Sequence, residues 1–486
     1  MFKKVNFMEI KKLSKYVYEM QKEGKMTLSP KIYANEEMIS VLRGEEKNKN
    51  NSLKQLENLT TLPGLLGVVC LSDLHIGYGA PIGTTTASDL KEGVITFAAT
   101  GFDINCGVHS LVVPLSAKEV EEKKGQLAEQ LFKDIPAGVG IGGKLKLNVS
   151  EMDELLMGGA EYAVAKGYGS KKDLQMIEEK GKIKGVDTAS VSTKAKERAT
   201  DQVGTLGSGN HYCEVQKIEK VFDEKAAKAF GLNEGGTFVS IHCGSRALGH
   251  QIGTDYLPIL DAAVKKYNIS IPERDLVCAP ISSEEGQKYF SAIKAGSNAA
   301  FANRQVIGVL VKRVFEKVFE INEKEIKTFY DIGHNTAKIE KHFVDGKKRE
   351  VLVQRKGSTR GFGPGNLEVP LKYRKFGQPV IVGGSMGTNS FILKGTTKAM
   401  SETFGSTIHG AGRSMSRTEA LRGASGEEIL KQLAEKGILI KARSVKGLSE
   451  EAPGAYKDIL SVVEVMHQSG ISEKVAKLKP LVCVKG

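Results

Sequence analysis

Short aliphatic runs that pass directly into glycine and polar residues constrain the fold of this chain more than any other feature. The runs are 67–73, 94–101, 109–115, 237–243, 351–355 and 379–384. Their β-branched content predicts strands, and the residues that follow place polar side chains at the strand ends. Segments 116–135 and 425–437 predict helices, because each opens with a serine followed three residues later by a glutamate, the capping-box pattern. The predicted fold class is therefore mixed α+β.

The 486 residues contain no internal repeat, proline-rich linker or low-complexity stretch that would mark a domain boundary. We expect one large domain over residues 1–486, with the Lys/Glu-rich stretch 142–200 as a helical, solvent-facing insert. The longest apolar run, near 64–71, is too short to span a bilayer, and the N-terminus lacks the apolar region of a signal peptide. The six cysteines form no CxxC pair. We therefore predict a cytoplasmic protein with free thiols and no membrane role.

The charge balance is basic, since 70 Lys and Arg against 57 Asp and Glu give a formal net charge of +13. Such a charge attracts polyanions, nucleic acid among them, over long range. The lysines are spread along the chain rather than gathered in a tail. The charge alone is therefore a weak indication of a nucleic-acid partner.

Two glycine-rich segments raise the question of a phosphate-binding loop. Residues 138–145 have the spacing of a P-loop, but Leu145 stands where that loop needs a Ser or Thr hydroxyl for magnesium. A surface turn is the better interpretation there. The segment "GGSMG", which ends at Gly387, follows a predicted strand, and its backbone N–H groups suit an anion.

Five histidines lie beside Gly, Ser or Asn in loops at predicted strand ends. They are His75 in "SDLHIGYG", His211 in "SGNHYCEV", His242 in "IHCGSRALGH", His334 in "DIGHNTAK" and His409 in "HGAGRSMSR". Taken singly, a histidine is more often structural than functional. The recurrence favours function, because a core histidine would have apolar neighbours on the face of an element.

Asp103 and Cys106 stand three residues apart in the glycine-bounded turn "GFDINCGV". A packed thiol and a turn-forming aspartate are the alternative interpretation. Together with several imidazoles, however, a carboxylate and a thiolate form the ligand set of a divalent ion such as manganese or zinc. A thiolate can bridge two ions, and an ion pair suits phosphoryl transfer. No HExxH motif or paired zinc-finger cysteines occur.

Arginine and asparagine residues beside Gly, Ser and Ala are predicted to contact phosphate, because guanidinium groups bind phosphate in bidentate fashion. These candidates are Arg246, Asn303, Arg304, Arg355, Arg360, Arg413 and Arg417, and the segment of Arg355 also carries Lys356 and Ser358. Residues alone thus indicate a basic enzyme with a His/Cys/Asp metal centre that acts on the phosphates of a nucleic acid.

The motifs above, together with residues 22–38, "ANRQVI", "RKGSTRGFGPG" and "EAPGAYKDI", occur in an order that resembles the RtcB-type RNA ligases from end to end. The resemblance implies that family's single-domain α+β fold, with metal-binding loops at strand ends. It also implies an enzyme that uses GTP and two manganese ions. Such an enzyme joins RNA ends bearing a 2′,3′-cyclic phosphate or 3′-phosphate to 5′-hydroxyl ends, in tRNA splicing or RNA repair. An archease-like activator and a monomeric state are further expectations.

The resemblance also assigns roles to residues of this chain. His409 would form the covalent guanylate intermediate, and Asp73 would lie near the reacting centre. The implied metal ligands are Asp103, Cys106, His211, His242 and His334, with Cys106 as the bridge. The implied nucleotide-binding residues are Asn210, Glu214, Ser385, Gly387, Gly410, Gly412, Arg413, Tyr456 and Lys485.

The chain departs from the family pattern at several positions, which puts substrate preference in question. They are Ser72, Ile76, Ala80, His109 and the segment Gly361–Gly363. Two other classes of function stay open. One is a divergent paralogue that binds broken RNA ends or opens cyclic phosphates as a metal phosphodiesterase, and the other is a nucleotide-independent metallohydrolase. The complete set of implied guanine-pocket residues argues against both.

Overall fold

The strands assemble into two large sheets and two short pairs in the computed structural model, which describes residues 8–486 except for the Lys446 side chain. Residues 1–7, on which part of the N-terminal prediction rests, lie outside this range. The strands are β1 (Ile10–Lys12), β2 (Val17–Met20), β3 (Lys31–Tyr33), β4 (Leu65–His75), β5 (Ile82–Asp89), β6 (Val94–Thr96), β7 (Gly107–Ser116), β8 (Tyr212–Val221), β9 (Gly236–Cys243), β10 (Cys278–Pro280), β11 (Lys327–Gly333), β12 (Asn335–Val344), β13 (Lys347–Lys356), β14 (Ser358–Arg360), β15 (Pro379–Val382), β16 (Ser390–Gly395), β17 (Ser406–Ile408), β18 (Leu439–Ala442) and β19 (Ser472–Lys485).

Helices connect and cover these sheets. They are α1 (Glu36–Glu45), α2 (Ser52–Leu59), α3 (Ala117–Glu122), α4 (Lys124–Asp134), α5 (Val149–Gly158), α6 (Ala160–Ala165), α7 (Lys171–Leu174), α8 (Thr193–Glu197), α9 (Glu224–Phe230), α10 (Arg246–Lys266), α11 (Glu284–Phe319), α12 (Thr397–Glu402), α13 (Arg417–Ala420), α14 (Gly426–Glu435), α15 (Val445–Glu450) and α16 (Ile459–Gln468). The mixed α+β prediction is confirmed.

The two large sheets differ in which motifs they carry. One has the strand order β1-β2-β3-β4-β5-β13-β12, and the other has the order β11-β7-β9-β8-β19-β16-β15, with β18 parallel to β19. In the second sheet, Gly107 at the start of β7 pairs with Cys243 at the end of β9 and with Gly333 at the end of β11. Tyr212 at the start of β8 pairs with His242. These antiparallel pairings bring four of the predicted functional loops to one edge of the sheet.

Helix α11 lies at the centre of the packing. Its 36 residues begin after Ser283, whose side chain accepts a hydrogen bond from the backbone N–H of Gly286. It contacts α4, α5, α6 and α10 as well as strands β7 and β9. Most of its side chains are buried, including polar ones such as Asn303 and Arg304. A helix buried all round cannot be recognised from a single apolar stripe.

Local signals located most of the predicted elements. Both capping boxes form, at Ser116 and Ser425, but the segment 116–135 contains two helices separated at Lys123. The run 94–101 is a strand only over Val94–Thr96. Residues 138–144 form a turn in which Val139 is 83% exposed, as the rejection of a P-loop predicts.

The stretch 142–200 contains helices α5 to α8 and packs more tightly than a solvent-facing insert would. Met152 and Leu155 of α5 and Ala195 of α8 belong to the core cluster that includes α11. Asp173 of α7 forms a buried ion pair with Lys312 of α11 at 2.9 Å. The lysines and glutamates that dominate its sequence lie mainly on outer faces, which hides the apolar inner face from a composition-based interpretation. No helix in the described residues is long and apolar enough to cross a membrane.

Candidate metal and nucleophile site

Three of the predicted ligands form a buried group at the edge of the second sheet. The Sγ atom of Cys106 lies 3.2 Å from Nε2 of His242, which in turn lies 3.2 Å from Nε2 of His334. The three ligand atoms all fall within 4.8 Å of one another. Residues that are 136 and 92 positions apart in sequence thus converge because β7, β9 and β11 are neighbours.

A second group shares the same thiol. Nε2 of His211 lies 2.8 Å from Oδ2 of Asp103 and 3.4 Å from Sγ of Cys106. These three ligand atoms also fall within 4.8 Å of one another. Cys106 is therefore the common member of two adjacent ligand groups, the position that a bridging thiolate would occupy.

The histidine hydrogen bonds fit a cation. Nδ1 of His242 donates to the backbone carbonyl of Asn210 at 3.1 Å, and Nδ1 of His211 donates to that of Leu206 at 2.9 Å. With Nδ1 protonated, Nε2 of the neutral His242 ring presents a lone pair to the shared thiol. Burial lowers the pKa of His242 to about 3, so this ring is uncharged near neutral pH. Burial also acts against a charged His211 ring, but Cys243, Cys106 and Asp103 outweigh it and raise the pKa of His211, so a positive charge is favoured beside the shared thiol.

The thiol itself also fits a metal ligand. Burial and the neighbouring Asp103 raise the pKa of Cys106 to about 12, so the thiolate forms near neutral pH only beside a cation. Carboxylate, thiolate and imidazole donors together fit a borderline divalent ion. The residues present therefore satisfy the requirements for one or two such ions.

His409 lies next to this group and is held by Asp73. The His409 and His334 rings have centroids 4.7 Å apart. Nδ1 of His409 donates to Oδ2 of Asp73 at 2.7 Å, and the backbone N–H of His409 donates to the same oxygen at 3.1 Å. Asp73 is fully buried. A carboxylate that holds Nδ1–H leaves the Nε2 lone pair free, which is the form of imidazole that acts as a nucleophile.

The loop that carries His409 is pressed against β4. Gly412 has a φ of +73°, and a Cβ at this position would lie 2.3 Å from the backbone oxygen of Asp73. On the other side, Gly410 bridges to Gly383, and the backbone N–H of Ala411 donates to Gly383. Glycine at 412 is required because the turn brings His409 and Asp73 together through direct backbone packing.

The residues implied for guanine binding include two on β8 and β19 and two in the loop after β15. Glu214 on β8 and Lys485 at the end of β19 lie on paired strands, and both are buried. Burial raises the pKa of Glu214 to about 7, against the lowering effects of Gln216 and Lys485. Ser385 is 7% exposed and hydrogen-bonds Thr388 in the loop after β15, which also contains Gly387.

Glu451 was not singled out by the sequence, yet it organises two of the implied nucleotide residues. Its buried carboxylate accepts a hydrogen bond from the Tyr456 hydroxyl and pairs with Arg413 at 3.3 Å and Arg417 at 3.5 Å. The Arg413 guanidinium lies over the Tyr456 ring, 5.0 Å from its centroid. The motif "EAPGAYKDI" contained this glutamate, but only the fold indicates that it faces the arginines.

A cavity of about 830 Å³ opens beside Asp103 and His211. Its wall carries three arginines from distant segments, Arg246, Arg417 and Arg443, and the exposed Asn210. Arg443 had no sequence signal, since its segment lacks glycine and histidine neighbours of the kind seen elsewhere. Cationic side chains on a cavity next to metal ligands suit a phosphate-bearing molecule.

Four of the predicted phosphate contacts are wrong, because their side chains are buried and fully engaged. Arg355 is 0% exposed and pairs with Glu340 at 2.7 Å. Arg304 is 0% exposed and pairs with Asp331, while Arg360 is 1% exposed and pairs with Glu178 at 2.6 Å. Asn303 accepts from the backbone N–H of Gly204 and donates to backbone carbonyls. Neighbouring glycine and serine are as compatible with a buried arginine as with a phosphate loop. Arg246 remains at the cavity.

The departures from the family pattern are mostly internal rather than on a surface path. Ser72, Ala80 and His109 are no more than 2% exposed, and His109 donates to Asp331 at 3.0 Å. The segment Gly361–Gly363 packs against Thr407 and Thr396. Ile76, at 40% exposure, is the one of these positions with a largely accessible side chain.

Comparison with known proteins gives a consistent result. The family model described as tRNA-splicing ligase RtcB matches residues 55–486. A protein named tRNA-splicing ligase RtcB from Archaeoglobus fulgidus is 47% identical over 482 residues, which cover 98% of this chain and 99% of that protein. Proteins of the same name from Thermococcus kodakarensis and Methanococcus maripaludis are 45% and 47% identical, covering 98% and 91% of this chain and 99% and 92% of their own lengths.

Proposed function

Because the chain belongs to the RtcB family of tRNA-splicing ligases, we propose that it joins a 3′-phosphate or 2′,3′-cyclic phosphate RNA end to a 5′-hydroxyl end through a guanylate on His409. The chain is an RNA ligase. We propose which RNA ends it joins, which nucleotide it uses and which residues take part. The observation that carries the proposal is the 2.7 Å hydrogen bond between His409 and Asp73, beside the ligand group of Cys106.

The proposed cofactor is manganese, with two ions. Asp103, Cys106, His211, His242 and His334 would hold them, with Cys106 common to both. When bound, the ions neutralise phosphate charge and orient the attacking and leaving oxygens. Zinc would bind this donor set more tightly in isolation. We therefore propose manganese specifically. Ligation that proceeds with Mn²⁺ but not with Zn²⁺ would support this choice of metal.

The chain's own residues account for the first step. Asp73 holds Nδ1–H of His409, so Nε2 attacks the α-phosphorus of GTP and pyrophosphate leaves. The carboxylate stabilises the positive charge that develops on the ring. The glycines at 410 and 412 let the His409 loop pack directly against the backbones of Gly383 and Asp73.

Two further steps complete the reaction once the RNA end is a 3′-phosphate. A 2′,3′-cyclic end is first opened by water to a 3′-phosphate. An oxygen of the 3′-phosphate then attacks the guanylate phosphorus, the bond to His409 breaks, and the RNA end becomes activated. The 5′-hydroxyl of the second RNA attacks the 3′-phosphate phosphorus, and GMP leaves. The new phosphodiester contains the original RNA phosphate.

We propose that the RNA phosphates are contacted by three arginines on the cavity wall, Arg246, Arg417 and Arg443.

The test is a ligation assay with an RNA that carries a labelled 3′-phosphate, a second RNA with a 5′-hydroxyl, GTP and Mn²⁺. We expect a joined product that retains the label in a phosphatase-resistant bond. Opening of a cyclic phosphate without joining would instead indicate a metal phosphodiesterase. RNA binding with neither reaction would indicate an end-binding protein.

The remaining proposals concern context. We propose that the enzyme is a monomer in the cytoplasm whose turnover is increased by an archease-like activator. All six cysteines are free and buried, and free thiols are the usual state of cysteine in a reducing compartment. Light scattering tests the monomeric state. Ligation turnover measured with and without such an activator tests its effect.

We expect GTP affinity to fall as the pH falls below about 7, because that is the raised pKa of Glu214. The N1–H and N2–H groups of guanine are donors, so they need the charged carboxylate, which is the form present above this pKa. Below it, affinity should decrease about tenfold per pH unit. Calorimetric titration with GTP between pH 5.5 and 8.5 measures this dependence.

Two comparisons control this prediction. Glu214→Gln should bind GTP weakly at every pH and lose the dependence on pH. ITP lacks the N2 amino group, so the difference in affinity between GTP and ITP should be smaller in this variant than in the wild type. A Glu214→Gln protein with the pH profile of the wild type would assign the titration to another group.

A further inference from the structure

We propose that Arg304 is a positioning residue that holds three ligand-bearing segments of the metal site in place. The inference rests on the proposed metal role of Cys106, His242 and His334. Arg304 touches none of these side chains. It acts through the backbone and through Asp331, at a place where no phosphate can reach it.

The Arg304 guanidinium connects two of the three segments directly. Its Nη1 donates to the backbone carbonyl of Asn105 at 2.6 Å and to that of Cys243 at 2.9 Å. Asn105 immediately precedes Cys106, and Cys243 immediately follows His242. One nitrogen thus fixes the distance between the loop before β7 and the end of β9.

The same side chain reaches the third segment through Asp331. Nε of Arg304 donates to both carboxylate oxygens of Asp331 at 3.0 Å, and Nη2 donates to Oδ1 at 2.7 Å. Asp331 lies on β11, three residues before His334. His109 on β7 also donates to Asp331 at 3.0 Å. Arg304 and Asp331 are both 0% exposed, so water does not compete for these bonds.

The segment before Cys106 needs such support because its backbone is unusual. Asn105 has a φ of +50°, in the left-handed region that a residue other than glycine rarely adopts. A neutral or flexible side chain at position 304 would leave the carbonyls of Asn105 and Cys243 without their donor. It would also leave the Asp331 carboxylate without its charged partner. The guanidinium uses three separate nitrogens to reach both carboxylate oxygens and two carbonyls, whereas the three donors of a lysine all diverge from one nitrogen.

The experiment measures Co²⁺ binding to the full chain without GTP or RNA. Spectral titration in the visible region reports affinity, and the sulfur-to-cobalt band reports the Cys106 ligand. We expect Arg304→Lys to weaken Co²⁺ binding by about 10- to 100-fold, the usual effect of losing a group that orients metal ligands. His109→Leu removes only one hydrogen bond to Asp331 and should cause a smaller loss in the same direction.

Arg355→Lys is the matched control. Arg355 is also 0% exposed and forms a bidentate pair with Glu340 at 2.7 and 2.8 Å, but its other bonds go to Ser406 and Phe404. We expect Arg355→Lys and Arg304→Lys both to lower the melting temperature. Arg355→Lys should leave Co²⁺ affinity unchanged.

The outcomes separate this inference from the proposed function. If the wild type binds no Co²⁺, the proposed metal site is wrong. If the wild type binds Co²⁺ and folded Arg304→Lys and His109→Leu bind it equally well, the positioning role alone is wrong. The same conclusion follows if Arg355→Lys weakens binding as much as Arg304→Lys. Should Arg304→Lys fail to fold, His109→Leu decides the question by itself.

Discussion

His409→Ala is expected to acquire no guanylate, whereas the wild type gains the mass of one GMP after incubation with GTP and Mn²⁺. The His409 side chain is the proposed nucleophile, and Nε2 is the ring nitrogen that does not bind Asp73. Loss of a nucleophile removes the covalent route altogether, so the guanylation rate should fall on the order of 10⁴-fold or more. Intact-protein mass spectrometry measures both proteins directly.

A histidine outside the site controls for the loss of an imidazole. His467 lies on α16 and accepts a hydrogen bond from the backbone of Lys474, so His467→Ala should still be guanylated. ATP should give no adduct with the wild type, because a carboxylate at Glu214 matches guanine donors. A GMP adduct on His409→Ala would place the nucleophile elsewhere. No adduct on folded, metal-loaded wild type would contradict the ligase mechanism.

Asp73→Asn should slow guanylation by about 10³- to 10⁴-fold while leaving GTP affinity nearly unchanged. The substitution removes the charge that stabilises the His409 ring as Nε2 bonds to phosphorus, and an amide can also favour the wrong tautomer. The fold should tolerate it, because Oδ1 of Asp73 has no hydrogen-bond partner among the described residues. Single-turnover guanylation and GTP calorimetry separate the rate from the binding.

Asp173→Asn is the matched control for losing a buried carboxylate. Asp173 pairs with Lys312 and accepts from Thr328 at 2.6 Å, away from His409. We expect reduced stability but a guanylation rate close to that of the wild type. A guanylation rate for Asp73→Asn within a few-fold of the wild type would mean that Asp73 only packs against His409.

The metal-ligand candidates that the structure brings together have local sequence signals. Asp103 and Cys106 share one turn, and each histidine follows an aliphatic run, so their types and strand-end positions could be read directly. Their roles came from resemblance to a family rather than from spacing. Arg304 and Arg360 were misassigned, because a guanidinium beside glycine has the same sequence signature whether it faces phosphate or a buried carboxylate.

Local residue patterns therefore determine which segments become strands, where those strands end and what chemistry stands there. They do not determine which ends meet. Asp73 and His409 are 336 residues apart, and only the packing of the 409–412 loop against β4 makes them partners. The antiparallel register of β7, β8, β9 and β11 joins the ligands, and burial converts Arg304 into an internal brace. Each of these depends on long-range contacts and desolvation, which neighbouring residues in the sequence do not encode.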